Sequence, residues 1–391
     1  MTELQRFIWE HREDDPVKLA LSAKKHPDLP IAYIARQIDS LSKIRRKIPS
    51  WYQVGLEFPV AISLEQASSE ATARFKAALF SGTEMADLTG GLGVDASFFA
   101  GQFEQVHYVE KIPEIFNAAQ HNLVALGVKG LQFTQGEAED FLASSKQRFD
   151  LIYLDPARRD DRKGKVFQLA DCTPNVLEIK DLLLQKSPRV LIKTAPLLDI
   201  HQAVQQLKNV SKIWVLEYEG ECREVLYLLE KEAPEPATIP INAVSIDHSG
   251  AAIHSFVFTL EAEQDAMVAN ALPGGFLYEP IPAVLKAGAF KSFAKQFGIN
   301  KLHPNTHLYS SDVLVADLPA RSFRIDAICK YDKKAVAHLI PNGKANITTR
   351  NFPESTAEVR KKLGLKDGGD TYIFACTNCD GGKILIICSK V

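Results

Sequence analysis

Between Ile31 and Ile44 the apolar residues Ile31, Ile34, Ala35, Ile38, Leu41 and Ile44 return every third or fourth position. That spacing predicts an amphipathic helix. It leaves Arg36, Lys43, Arg45, Arg46 and Lys47 mostly on other faces, and Pro49 stops it. Asp15-Pro16 predicts an earlier helix start, a capping side chain followed by proline at the first helical position. A further helix is expected over about Leu64–Phe80, so that residues 1–80 read as a helical region.

From Glu84 the period changes. Short apolar runs predict strands at Met85–Leu88, Gln105–Val109, Leu131–Thr134, Phe149–Leu154, Arg189–Lys193, Lys212–Glu217 and Glu224–Leu229. Between the first six lie helical patterns at Val94–Ala100, Pro113–Leu126, Ala138–Ser145, Leu169–Gln185 and Leu197–Leu207. Such alternation implies right-handed crossovers and a mostly parallel sheet covered on both faces. Only Tyr218–Arg223 separates the last two strands, so they must form a hairpin and the final strand must run antiparallel.

Lys231–Pro240 is rich in Pro and Glu and marks a boundary. Beyond it the pattern predicts strands at Ala243–Ile246 and His254–Leu260, a helix over Ile281–Phe297 and a strand at Asp312–Val315. After a second boundary at Pro319–Ser322 come strands at Phe323–Ile328, Tyr372–Ala375 and Lys383–Cys388, with a helix at Ser355–Leu363. The expected organisation is 1–80 helical, 81–235 a Rossmann-like α/β domain, 236–320 a small α+β domain and 321–391 a last α+β unit.

Charge sharpens this division. Residues 214–285 carry 2 Lys+Arg against 12 Asp+Glu, whereas residues 321–391 carry 13 against 7. A basic end suits a polyanionic partner, although ordinary solvated lysines would look the same. The charged start has no apolar leader core, and no apolar run approaches the ~18 residues that span a bilayer. The six cysteines are scattered rather than spaced as a disulfide framework, which points to a reducing, cytoplasmic home.

Four segments carry candidate chemistry. Met85-Ala-Asp-Leu-Thr-Gly-Gly-Leu-Gly-Val-Asp95 runs from a strand through a glycine turn into a helix. Gly90, Gly91 and Gly93 let backbone approach a ligand, Thr89 flanks them, and Asp87 precedes them. The turn lacks the G-x-G-x-x-G spacing of pyrophosphate loops, which argues against a nicotinamide oxidoreductase. Glu110 ends the next strand, where an acid can accept hydrogen bonds from both ribose hydroxyls. Glu137 follows the third strand, either as an acceptor for a base amino group or as an acid suited to a helix start. Asp155-Pro156 closes the fourth strand at the sheet edge where open α/β folds bind ligands, and Arg158 and Arg159 follow within reach of a phosphate or base edge. Each has a plain structural alternative: a tight turn, a solvated acid, a strand terminator. Their order is what makes coincidence unattractive.

Cys172 and Cys222 sit away from these edges and read as buried small hydrophobes rather than nucleophiles. Cys376-Thr-Asn-Cys379 stands alone, and zinc would need a second pair, so a structural turn is expected and no metal.

The whole chain resembles the bacterial class I S-adenosylmethionine-dependent methyltransferases that carry a C-terminal THUMP-like domain. The likeness rests on Lys47-Ile-Pro-Ser-Trp51, Glu65-Gln-Ala-Ser-Ser-Glu70 with Thr72, Ala73 and Lys76, the Asp87–Asp95 turn and Asp155-Pro-Ala-Arg158. It continues in Tyr278-Glu-Pro280, Lys286-Ala-Gly288, Ala345-Asn-Ile347, Arg350-Asn-Phe-Pro353 and Asp367-Gly-Gly-Asp370. The resemblance implies a ferredoxin-like piece before the THUMP-like end, and S-adenosylmethionine held by Asp87, Thr89, the Gly90–Gly93 turn, Glu110, Glu137 and Asp155. It implies that Asp155 and Pro156 orient the acceptor, that Arg158 touches it, that Ser68-Ser69-Glu70 packs over the cofactor and that Lys193 lines the same edge. THUMP domains bind RNA, so tRNA or rRNA is the expected partner, with phosphate contacts from Arg321, Arg324, Lys344, Arg350 and Lys361. The rival readings are a methyltransferase for protein or small molecules, and an RNA-binding protein that has lost catalysis.

Overall fold

The computed structural model describes residues 2–59, 61–158 and 168–391. Chain contacts divide it into two units. The first runs through Glu219 and includes Arg223–Pro236 and Ile246–Ile253; the second comprises Gly220–Cys222, Ala237–Ser245 and His254–Val391.

In the first unit, α1 (Glu3–Glu10) and α2 (Pro16–Leu21) precede α3 (Ile31–Lys47). Asp15 caps α2 by accepting from the Val17 and Lys18 amides. The apolar stripe of α3 is buried throughout, as its spacing predicts. The helix expected over Leu64–Phe80 is two helices, α4 (Ala61–Gln66) and α5 (Glu70–Ala78). Ser69 breaks it: its extended backbone and its hydroxyl, which accepts from the Thr72 amide, begin a new helix.

The sheet that follows is built from β1 (Gly82–Asp87), β2 (Phe103–Glu110), β3 (Leu131–Gln135) and β4 (Leu151–Leu154). A two-residue pair, β5 (Ala157–Arg158) and β6 (Cys172–Thr173), lies outside it and runs antiparallel. The sheet continues with β7 (Arg189–Thr194), β8 (Val210–Tyr218) and β9 (Glu221–Glu230), in the order β3-β2-β1-β4-β7-β9-β8. The β1–β2, β1–β4, β2–β3 and β4–β7 pairs are parallel, while β9 runs antiparallel to β7. Glu219 and Gly220 both take positive φ, 55° and 76°, the geometry a two-residue hairpin needs. Connecting helices are α6 (Val94–Phe99), α7 (Pro113–Ala125), α8 (Ala138–Ser144), α9 (Val176–Lys186) and α10 (Ile200–Leu207). α9 starts later than the expected Leu169, because Pro174 disfavours helix at Thr173 and Asn175 supplies the cap.

Next come β10 (Ile241–Ile246), β11 (Ala252–Phe258) and α11 (Leu260–Asp265). The second unit then holds β12 (Phe276–Pro280), α12 (Pro282–Ala287), α13 (Lys291–Phe297), β13 (Asn300–Lys301), β14 (Tyr309–Ser311), β15 (Ala320–Lys330) and α14 (Lys333–Leu339). It ends with β16 (Asn346–Arg350), α15 (Thr356–Leu363), β17 (Thr371–Thr377) and β18 (Lys383–Lys390). One sheet spans 276–390 in the order β13-β14-β12-β15-β18-β17-β16. The helix expected over Ile281–Phe297 is broken at Gly288, whose φ of +80° closes α12. The strand expected at Asp312–Val315 is instead β14, just before it. Alternation along β17 sends Ile373 and Ala375 to one apolar cluster and Phe374 and Cys376 to another.

Candidate active site

β1, β2 and β4 end side by side in the parallel part of the sheet, and Leu88 just after β1, Glu110 ending β2 and Asp155 just after β4 meet at one cavity of about 1070 Å³, whose lining does not include Asp87 or Gly93. Its walls belong to the first unit. Gly90, Gly91, Glu110, Glu137, Asp155 and Pro156 all line it. A side chain at Gly90 would put its Cβ 2.2 Å from the Tyr108 ring, so only glycine fits. Gly91, with φ +53°, has only the Thr89 carbonyl within 4 Å of where a Cβ would stand, at 3.8 Å, and Gly93 takes φ +83° before α6. The Tyr108 hydroxyl donates to the Gly91 carbonyl at 2.5 Å, pinning the turn.

Glu110 is buried at the end of β2 and accepts from the Gly91 amide at 3.0 Å and the Ile112 amide at 2.7 Å. Glu137 is half exposed at the start of α8, 3.6 Å from the Lys111 ammonium. The Asp155 amide donates to the Thr89 hydroxyl at 2.6 Å, joining the β4 edge to the glycine turn, and the Asp155 carboxylate pairs with Lys193 of β7. Burial works against the Lys193 ammonium, but the charges of Asp155, Glu224 and Asp95 hold its pKa above the ordinary lysine value. Of Arg158 only the backbone is described, and Arg159 lies outside the described residues.

Asp87 is 1% exposed and accepts from the Thr89 amide at 3.1 Å. It pairs with no cation among the described residues. Burial, and then the neighbouring charge of Asp95, push its pKa well above the usual carboxylate value.

A buried cluster beneath the cavity was missed by sequence reasoning. Lys76 of α5 is fully buried; its ammonium donates to both Glu224 carboxylate oxygens and to the Ser68 hydroxyl, each at 2.9 Å, and stands 3.1 Å from Asp95. The Ser68 and Tyr153 hydroxyls donate to Asp95 at 2.8 and 2.9 Å. The one available signal was a lysine on an otherwise apolar stretch of helix. Ser68 and Ser69 line the cavity, as expected, but the Glu70 carboxylate is occupied by the Ser50 amide and Arg74.

In the second unit, Arg321 and Arg350 both grip Glu279, and Arg324 pairs with Asp326. Lys344 and Lys361 are exposed. The five C-terminal cations therefore do not form one free set. Cys376 is buried in β17, its thiol pushed up to about 12 by burial, and Cys379 follows in the turn.

Strand order β3-β2-β1-β4-β7-β9-β8 with β9 antiparallel, together with a glycine turn, an acid ending β2 and Asp-Pro just after β4, defines a class I S-adenosylmethionine-dependent methyltransferase. Comparison agrees. Residues 276–319 match a ferredoxin-like domain model, and residues 320–390 a "THUMP domain-like" one. A solved structure described as a "putative methyltransferase from Porphyromonas gingivalis W83" is 32% identical, with a TM-score of 0.89, covering 99% of this chain and 97% of that one. An "uncharacterized S-adenosylmethionine-dependent methyltransferase" of Mycobacterium tuberculosis is 25% identical over 325 residues, 82% of this chain and 85% of that protein. An "uncharacterized RNA methyltransferase" of Listeria monocytogenes is 29% identical over 129 residues, 29% of this chain and 28% of that protein. The chain belongs to the family of the Porphyromonas protein: S-adenosylmethionine-dependent methyltransferases with a C-terminal ferredoxin-like and THUMP-like region.

Proposed function

We propose that the protein transfers a methyl group from S-adenosylmethionine to an RNA nucleotide, and that Asp155 orients the acceptor. The observation that carries the reading is the single cavity that joins the glycine turn, Glu110 and Asp155-Pro156 at one sheet edge.

The donor fits these residues. Gly91 lines the cavity without a side chain, which lets a ligand approach backbone, and Glu110, at the end of β2 in the same wall, would hold the ribose. Carboxylates outnumber cations around this wall: buried Asp87, Glu110 and Glu224 and partly buried Asp95 and Asp155 stand against Lys76 and Lys193. An anionic excess of that kind suits a ligand carrying a sulfonium and an ammonium. Glu137 at the rim is placed to accept from the adenine amino group. When bound, S-adenosylmethionine supplies an already activated methyl group, so the protein's task is chiefly alignment. Lys193 fixes the Asp155 carboxylate, and Asp155 accepts a hydrogen bond or a proton from an acceptor amine.

RNA is supported by the THUMP-like match at 320–390 and by the RNA methyltransferase named among the relatives. Total RNA, protein and small metabolites are offered labelled S-adenosylmethionine with wild type and Asp155→Ala. The expected result is label in RNA, lost in the variant. Label in protein or metabolites but never in RNA would sink the RNA reading, and equal labelling by both proteins would sink the role of Asp155.

A further inference from the structure

We infer that the cavity contains a phosphate subsite on its N-terminal helical side, made by Arg46 and Lys47 of α3 with Arg223 of β9, and that it takes a backbone phosphate of the RNA acceptor. This rests on the RNA reading above and adds where the acceptor is gripped.

Lys43, Arg46 and Lys47 are spaced i, i+3, i+4, so they share one face of α3, and all three line the cavity. They are not equivalent. Lys43 is spent on Asp39 at 3.1 Å and Glu65 at 3.3 Å. Arg46 is exposed and pairs with no carboxylate among the described residues. The Lys47 ammonium donates to the Leu64 and Glu65 carbonyls at 2.9 and 2.7 Å, neutral partners that aim it without cancelling its charge. Arg223 donates to the Tyr218 carbonyl at 3.2 Å, with its guanidinium 3.6 Å from Glu219.

Lys47 feels the other cations of the cavity. Lys47 is lowered to about 8, first by burial and then by the positive charges of Lys193 and Arg223. Cations that repel across a cavity form a site that an anion relieves. Of the acids that line the cavity, Glu110, Glu137 and Asp155 belong to the sheet edge, which the cofactor takes; Asp95 and Glu224 are taken by Lys76, Glu65 by Lys43, and Glu219 lies beside Arg223. At about 1070 Å³ the cavity lies at the upper end of the roughly 300–1,000 Å³ of small-molecule sites, and its lining extends past the sheet edge to α3 and to Arg223. A guanidinium with unspent donors is suited to a phosphate.

The test uses the full-length protein and a fluorescein-labelled, mixed-sequence, single-stranded RNA 12-mer, read by anisotropy at low and moderate salt. Arg46→Ala should weaken RNA binding about fivefold and reduce the logarithmic salt slope by about 0.7, the share of one phosphate contact on a single strand. Arg46→Glu should weaken it further. S-adenosylmethionine affinity, measured by calorimetry, should stay unchanged in both, showing that the variants fold. Lys129→Ala, which removes an exposed lysine outside the cavity, should bind as wild type. Adenosine monophosphate and inorganic phosphate should displace the 12-mer only at far higher concentration than unlabelled RNA does. RNA binding and salt slope unaltered by Arg46→Ala would overturn the subsite and leave the RNA reading standing. Wild type that binds no RNA would overturn the RNA reading itself, and displacement by adenosine monophosphate as efficient as by RNA would overturn the assignment to a polymer.

Discussion

Glu224 in the first unit and Glu279 in the second are buried to almost the same degree, with side chains 3% and 4% exposed, yet they are neutralised differently. Glu224 meets Lys76, itself entirely out of water, so both ions have surrendered their hydration. Glu279 meets Arg321, its direct neighbour across the β12–β15 pair, and Arg350 from the end of β16; these guanidiniums remain 51% and 38% exposed. The Lys76 centre lies against the cavity and shares Asp95 and Ser68 with its wall, whereas the Glu279 centre ties residues of the ferredoxin-like stretch to those of the THUMP-like stretch. Where both partners are dry, the arrangement holds a site in place. Where one stays wet, it serves as a forgiving clamp.

Removing a partner should therefore cost very different amounts. Lys76→Met leaves Glu224 and Asp95 buried with their ammonium gone, and should destabilise the first unit by about 3–5 kcal/mol. Adding Glu224→Gln should return part of that loss, because one uncompensated charge goes with it. Two units do not guarantee a single unfolding transition, so hydrogen exchange of the α5 and β9 amides is the suitable measure. A loss in Lys76→Met no larger than that of a surface lysine substitution would erase the contrast.

Glu279→Ala is the counterpart. Water can take up both partly exposed arginines, so the expected cost is about 1–2 kcal/mol, confined to β12, β15 and β16. S-adenosylmethionine affinity should not change. A drop in cofactor affinity would show that the second centre also supports the site. Freed from Glu279, Arg321 and Arg350 could meet a polyanion, and tighter RNA binding by this variant would restore the role that their sequence positions suggested.

The same contrast explains what was legible in the sequence. Parallel strands buried on both faces leave unbroken apolar runs, so β1–β4 and β7–β9 of the sheet, the terminal hairpin and the residues at the strand ends were readable from local pattern. Asp87, Glu110 and Asp155 are local too, since each ends a strand beside a turn. β12 and β16 gave no such signal: Tyr278-Glu-Pro280 and the polar Asn346–Arg350 owe their strand state to neighbours far along the chain. Lys76 and Arg321 were hidden for the same reason, because a cation's partner is a tertiary fact. One lysine is found buried on Glu224, and two expected RNA contacts, Arg321 and Arg350, are found occupied by Glu279.

A third carboxylate completes the comparison, for Asp87 has burial like Glu279 but no paired cation among the described residues. Its raised pKa, caused first by burial and then by Asp95, means that the folded protein without ligand binds this proton more tightly than the unfolded chain does. Stability from this group is thus greatest below its ordinary value of 3.8 and falls as pH rises towards the folded value. If Asp87 holds the cofactor ammonium, as its place before the glycine turn suggests, that cation would favour the ionised carboxylate and binding would expel the proton. S-adenosylmethionine affinity should then increase with pH through that window, by at most about tenfold per unit for one proton, and level off once free Asp87 is ionised. Calorimetry in buffers of different ionisation enthalpy would count the released proton directly. Asp87→Asn should flatten this part of the profile, while Glu279→Gln, whose carboxylate already has its cations, should leave it as in wild type. If Asp87→Asn retained the wild-type slope, the proton would belong to another group and Asp87 would be a structural acid like Glu279.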